Sequence, residues 1–230
     1  MTTTAQSVIR RAAETLQDLT AVRWSTAELV RYLNDGQRES LKLRPDAFAT
    51  STTLTLVDGA KQTLPSTAAK LLDVVRNVAT ASSKRAVRIV NRQLLDSQIP
   101  DWHISAPSVN TAHYMYDPVN PRQFHVYPPA TVLTQLDIVV AQYPSDIAEP
   151  AANTTFTSVS GNIGMPDILA NALTDYIIAR AYMKDTEQAG NAGRAQAHYG
   201  IFTSALAADF QGTVSTVPST AGAPSRGASI

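Results

Sequence analysis

The side chains that could do chemistry are few: four histidines, a Trp-His pair and three aspartates near turns. None of His103, His113, His125 and His198 pairs with another at the close spacing of a helical zinc motif such as H-E-x-x-H. His113 and His125 fall on neighbouring predicted strands, where they could face each other, but histidines on a sheet surface are more often ordinary polar positions than ligands. Trp102-His103 could form a catalytic or sugar-binding corner; an aromatic plug at the edge of a sheet is the plainer role. Asp96, Asp101 and Asp117 would make a hydrolytic pair only if two of them flanked one cleft. Asp117-Pro118 is also what a turn requires, because the carboxylate can accept from nearby backbone N–H groups. No G-x-G-x-x-G, no G-x-x-x-x-G-K-[ST] and no G-x-S-x-G string occurs. With no cysteine, thiolate ligands, disulfides and cysteine nucleophiles are excluded. Met165 and Met183 read as core filler. The chain offers no catalytic constellation and no cofactor motif.

The whole chain is equally reticent about charged partners. Nineteen basic and nineteen acidic residues cancel, which argues against a surface that grips phosphates. No apolar run reaches the length of a membrane span, and the N-terminus lacks a signal-peptide layout, so the expectation is a protein kept in the cytosol or in a particle assembled there. A length of 230 residues suits one domain, or two small layers sharing a core.

Two helices open the chain. Val8, Ile9, Ala12, Ala13, Leu16 and Leu19 recur at three- and four-residue steps, predicting a helix from near Thr4. Ser25 and Glu28 form a capping box, with Trp24 placed to staple onto Leu29, and predict a second helix from Thr26 to about Leu43 that Arg44-Pro45 ends. Its stripe runs Leu29, Leu33, Gly36, Ser40, Leu41. The small Gly36 and Ser40 would let another helix come close.

From Thr50 the period changes to two. Leu54 and Leu56, the turn Asp58-Gly59, and the return Ala60 to Leu64 predict a hairpin. Further strands are expected at Leu72 to Val78, Ala86 to Val90, Ala112 to Tyr116, Gln123 to Tyr127 and Thr134 to Gln142, separated by Pro118, Pro121, Pro128 and Pro129. A short helix is expected over Asn91 to Gln98. Pro144 to Gly164 reads as a long polar connection. Helices resume at Pro166, with Ile168, Leu169, Ala172, Leu173, Tyr176 and Ile177 as the buried face, and Asp185 is expected to cap a last helix carrying Ala195, Tyr199, Phe202, Leu206 and Phe210. Gly190, Gly193 and Gly200 should weaken it.

The fold class expected is therefore α+β: N- and C-terminal helices (1–49 and 161–211) forming a bundle, an inserted antiparallel β-sheet or sandwich (50–143), a linker (144–160), and an extended C-terminal arm (212–230). After Gln211 the composition collapses to small and polar residues with one charge, Arg226. Such a segment cannot bury enough apolar surface to offset its own ordering entropy, so a partner chain should hold it.

Many short strings resemble, in order, a family of tailed-bacteriophage head-to-tail adaptors, also called connector or head completion proteins. They include Arg11-Ala12-Ala13, Arg23-Trp24, Leu33-Asn34-Asp35-Gly36-Gln37-Arg38-Glu39 and Arg44-Pro45-Asp46-Ala47. Gln62-x-Leu64-Pro65, Leu71-Leu72-Asp73-Val74, Trp102-His103, Phe124-x-Val126-Tyr127-Pro128-Pro129 and Arg180-Ala181-Tyr182-x-Lys184-Asp185 continue the series. The resemblance spans most of Met1 to Phe210. It implies a non-enzymatic virion protein forming a homo-oligomeric ring of about twelve copies at the head-tail junction. The ring would dock on the portal protein after DNA packaging and receive a tail nozzle or tail tube protein, while genomic DNA passes through the channel without specific binding. It also implies that the C-terminal extension reaches onto the portal, with Val214, Val217, Pro218, the Ala223-Pro224 pair, Arg226 and Ile230 as the portal-binding positions. Asn34 to Glu39 would serve either as ring contacts or as a solvated helix face. The rivals are a stopper or tail-terminator ring, a small hydrolase using His103, Asp101 or His113, and a carbohydrate-binding tail component exposing Trp102, Tyr114 and Tyr127.

Overall fold

A computed structural model of the chain describes residues 2–78, 84–151 and 154–216, with side chains described through 208. The class is α+β, as the sequence predicts. Five helices, α1 (Ala5–Thr15), α2 (Thr26–Leu43), α3 (Arg92–Gln98), α4 (Ala170–Lys184) and α5 (Asn191–Thr216), surround or flank seven strands. The strands are β1 (Ala49–Thr55), β2 (Gly59–Thr63), β3 (Ala68–Asn77), β4 (Arg88–Ile89), β5 (His113–Tyr116), β6 (Gln123–Ala130) and β7 (Gln135–Gln142).

Local chemistry sets the helix ends. Thr4 caps α1, its hydroxyl accepting from the Ser7 N–H at 3.2 Å, and Ser25 caps α2 by accepting from the Glu28 N–H at 3.3 Å. The reciprocal half of the expected capping box is absent. The Glu28 carboxylate turns away to accept from Tyr32 at 2.7 Å and from Lys184 on α4 at 2.8 Å, so it ties two helices together instead. Leu19 lies beyond α1 and is exposed, because the chain reverses through positive φ at Gln17 and Ala21. Asp18 holds that reversal, accepting from the backbone N–H groups of Val22, Arg23 and Trp24.

The bundle packs as the stripe of α2 predicts. A Cβ built on Gly36 would lie 2.6 Å from Leu173 Cδ1 and 2.8 Å from Tyr176 Cδ1, so α2 and α4 cross here with no room for a methyl group. The shared core takes Val8, Ile9 and Ala12 from α1, Leu29 and Leu33 from α2, Leu173 and Ile177 from α4, and Phe202 and Leu206 from α5.

Four expectations are corrected. The predicted hairpin is open: β1 pairs antiparallel with β7, and β2 pairs antiparallel with β6. Gln62 explains the divergence, since its side-chain amide accepts from the Val57 N–H and donates to the carbonyls of Val57 and Gly59, holding the connection as a closed loop. Pro128 and Pro129 sit inside β6 instead of ending it. Asp185 caps nothing ahead of it; it terminates α4, and its carboxylate accepts from Asn191 at the start of α5. Ile168 is exposed because Asp167–Leu169 forms a 3-10 turn that rotates it outward, and Met183, in the last turn of α4, is exposed as well.

The two sheets have orders β1-β7-β3 and β2-β6-β5-β4. The first is antiparallel throughout, as predicted, but the second is mixed, since β4 runs parallel to β5. Leu71, Val74, Leu136, Ile138 and Val140 of the first sheet face Tyr114, Phe124 and Val126 of the second. The polar connection from Pro144 to Gly164 is stitched to the bundle by Ile147, Val159 and Ile163, all buried.

Candidate functional site

A polar group with several fixed partners lies where α2, the start of the first sheet and the last helix meet. Arg44, the residue after α2, is buried. Its Nε and Nη2 donate to the Asp46 carboxylate, Nη2 at 2.6 Å, and its Nη1 donates to the carbonyl of Leu206 in α5 at 2.6 Å. The Arg44 guanidinium holds the Asp46 carboxyl below its ordinary 3.8, against a smaller opposing effect of burial. Two forked bonds to a carboxylate and one to a helix carbonyl fix a planar group in one orientation. The result is a pin through α5, beyond which the helix runs another ten residues to Thr216, about 15 Å.

This helical extension corrects the expected boundary of the arm: residues 212–216, Val214 among them, continue α5 instead of starting an extended segment. Val217, Pro218, Ala223-Pro224, Arg226 and Ile230 lie outside the described residues. The sequence reading missed Arg44 as a structural anchor, taking it only as the residue before a proline. The available signal was Asp46 two residues on, in reach of a guanidinium that the proline forces out of the helix.

The string Asn34 to Glu39 turns largely inward. Asn34 is buried, its amide donating to and accepting from Ile147 at 3.0 and 2.9 Å, while buried Gln37 accepts from the Gly164 N–H at 2.5 Å. Arg38 pairs with Asp35 and Asp146. Asn34 and Gln37 fasten the long connection to the bundle and are buried, so neither offers a surface contact. The Arg23-Trp24 pair has a similar inward duty. Trp24 donates its indole N–H to the Ala181 carbonyl at 3.1 Å, and Arg23 stacks over that ring while pairing with Asp185.

The rings proposed for catalysis or sugar binding form a plug. Trp102 is fully buried, with its indole N–H donating to Asp96 at 2.8 Å. His103 stacks on it with ring centroids 3.7 Å apart, and His125 meets its edge at 5.9 Å. His113 stacks on Tyr127 directly across the β5–β6 ladder, so His113 and His125 are not paired. Burial holds the His125 imidazole below its usual range, helped by Arg92, His103 and Lys61. Asp117 fills its turn role, accepting from the Val119 N–H at 3.0 Å. A hollow of about 700 Å³ beside His125 is lined by Arg92, Met115 and Asp117, but by none of Asp101, His103 and His113. With Trp102 and Tyr114 both buried, the platform expected of Trp102, Tyr114 and Tyr127 does not form. Among the described residues no cluster of three or more histidine or acidic side chains is placed to hold a metal ion, and no helix is long and apolar enough to cross a membrane.

Side chains that in an enzyme would converge on a cleft here pin loops and helix ends. The class defined is an α+β protein whose last helix, α5, is tied to the end of α2 through Arg44 and Leu206. The sequence matches the SU10 adaptor protein family over residues 3–224, and the chain belongs to that family of bacteriophage head-to-tail adaptors. The match reaches past α5 into the arm. A search of curated proteins finds no match.

Proposed function

We propose that the protein is a ring-forming structural component of the virion neck, about twelve copies docking under the portal after DNA packaging and receiving the tail. It acts by binding and sealing, not by catalysis. The observation that carries this reading is the pinned α5: the segment that the family match follows through residue 224 continues from a helix held at Leu206 by the buried Arg44. A rigid root lowers the entropy lost when a flexible extension binds, because the first attachment point is already positioned. The arm then reaches onto the portal, with Arg226 and Ile230 at its far end as a charged and an apolar contact. Repetition around the ring multiplies a modest contact per chain. A neutral chain suits a channel wall past which DNA slides without being gripped.

The test is native mass spectrometry of the full chain and of a truncation after Thr216, each alone and mixed with the portal ring of the same phage. The full chain should join the portal in about twelve copies and the truncation should fail to do so. If neither form binds, the portal assignment is wrong.

A further inference from the structure

β1 is an outer strand of the first sheet, and it lacks every usual guard of such an edge. It is seven residues long, Ala-Thr-Ser-Thr-Thr-Leu-Thr, with no charge and no proline, and its register with β7 is unbroken from Ala49↔Ala141 to Thr55↔Gln135. Natural edges are blunted by lysine, proline, bulges or shortness, because an unguarded row of N–H and C=O groups templates another strand. The opposite edge, β3, shows such guards: its register shifts three times, and Val75 and Asn77 bond to the segment leading into β4. On its outer side the Ala49 N–H donates to the Asp46 carbonyl at the start of the strand, and among the described residues no backbone hydrogen bond reaches Ser51, Thr53 or Thr55 from that side. Leu56 N–H points to Thr134 on the β7 side, so alternation turns the N–H and C=O groups of Ser51, Thr53 and Thr55 outward.

The stretch that follows α5, Val217-Pro218-Ser219-Thr220-Ala221-Gly222-Ala223-Pro224, is the complement. Both prolines are at even positions, so in an extended strand the two missing N–H groups lie along one edge. Val217, Ser219, Ala221 and Ala223 then present a complete row of donors and acceptors along the other. A strand of this kind can add to an exposed edge by backbone bonds and, through its proline side, stop any further addition. It is uncharged, as β1 is. Its residues 217–223 span roughly 23 Å, the length of β1. We infer that residues 217–223 of one copy add as a strand to the outer edge of β1 of the adjoining copy. The inference rests on the ring reading and supplies its subunit-to-subunit contact; the remainder of the arm, from Pro224, goes on to the portal. The adjoining copy is the occupant because α5 carries the arm's root about 15 Å beyond the Arg44 pin that precedes β1. The residue before Pro218 favours continued extension over a reversal.

The chain has no cysteine, so engineered ones report cleanly. Full-length Thr53→Cys and Ala221→Cys proteins are mixed, with and without the portal ring, and joined by a short bis-maleimide. A cross-link between the two chains is expected. No product under either condition, or a product only within one chain when both cysteines are in the same polypeptide, overturns the inference. Position parity supplies the second arm of the test. Ala221→Pro should lower the cross-link yield between Thr53→Cys and Ala223→Cys roughly tenfold, by removing an inward N–H donor, while Thr220→Pro should leave it unchanged. Equal behaviour of the two prolines overturns it. Failure of the ring reading itself is distinguished by mass: the chain then forms no portal-bound complex at all.

Discussion

Arg44 and Leu206 are joined by a 2.6 Å hydrogen bond from guanidinium to backbone carbonyl, linking the end of α2 to the helix that carries the arm. Removing the guanidinium leaves the Leu206 carbonyl without this donor and Asp46 without its partner. Asp46 is about half exposed and can be resolvated, which limits the loss. Arg44→Ala is expected to destabilise the protein by about 2–3 kcal/mol in urea unfolding. Arg44→Lys should recover little of it, because an ammonium cannot reach both partners as a fork does. A loss below about 0.5 kcal/mol, within the range of an ordinary surface change, would show that the pin carries no load.

Gly36 and Gly200 both lie in helix interiors, yet their alanine variants should move stability in opposite directions. At Gly36 the new methyl meets Leu173 and Tyr176 inside 3 Å, and the overpacking outweighs the gain in helix propensity, for a net loss of about 1–2 kcal/mol. At Gly200 nothing lies within 4 Å, so the propensity gain of up to about 1 kcal/mol stands alone. Paired thermal melts of the isolated chain decide it. A Gly36→Ala protein as stable as wild type would mean that α2 and α4 are not in contact there.

Asn34 makes the corresponding test of the long connection. Its side chain satisfies both backbone groups of Ile147, and truncation strands a buried donor and a buried acceptor. Asn34→Ala should cost about 3 kcal/mol. In hydrogen exchange the Ile147 amide should lose its protection first, ahead of the α2 amides.

These side chains mark where sequence reading succeeds and where it stops. The bundle was legible because periodicity and capping are local: Thr4, Ser25 and Pro45 fix helix ends within a few residues of themselves, and the smallness of Gly36 announces a close crossing. The hairpin failed for the opposite reason. Asp58-Gly59 is a good turn signal, but strand pairing is decided by partners far along the chain, Ala141 for Ala49 and Gln123 for Thr63, and Gln62 closes the turn with side-chain bonds that leave β1 and β2 free to join different sheets. Asn34 and Gln37 looked like a solvent-facing polar string because their partners, Ile147 and Gly164, lie in a segment with little pattern of its own. What Arg44 does was not legible, since its acceptor on α5 is a backbone carbonyl, which leaves no mark in a sequence.

His125 gives a pH dependence with a definite sign. Its ring is half-buried at the edge of Trp102, and burial, then Arg92, His103 and Lys61, all oppose its protonation, with only Asp96 favouring it. The folded-state value therefore lies below the ordinary 6.5, and the unfolded chain binds this proton more readily than the folded one. Stability from this group is complete above about pH 6.5 and is lost as the pH falls from there towards the folded value. The expected result is a fall in the urea midpoint of the wild-type protein on going from about pH 7.5 to about pH 5, and a smaller fall for His125→Gln, which cannot titrate. The side chain retains the shape to sit against Trp102, so the variant should fold. Indole fluorescence follows the transition, and Trp24→Phe in both proteins leaves Trp102 as the single reporter of the plug. Equal pH slopes for the two proteins would mean that His125 is as free to take up a proton in the fold as out of it, and that the rings packed around Trp102 do not exclude water.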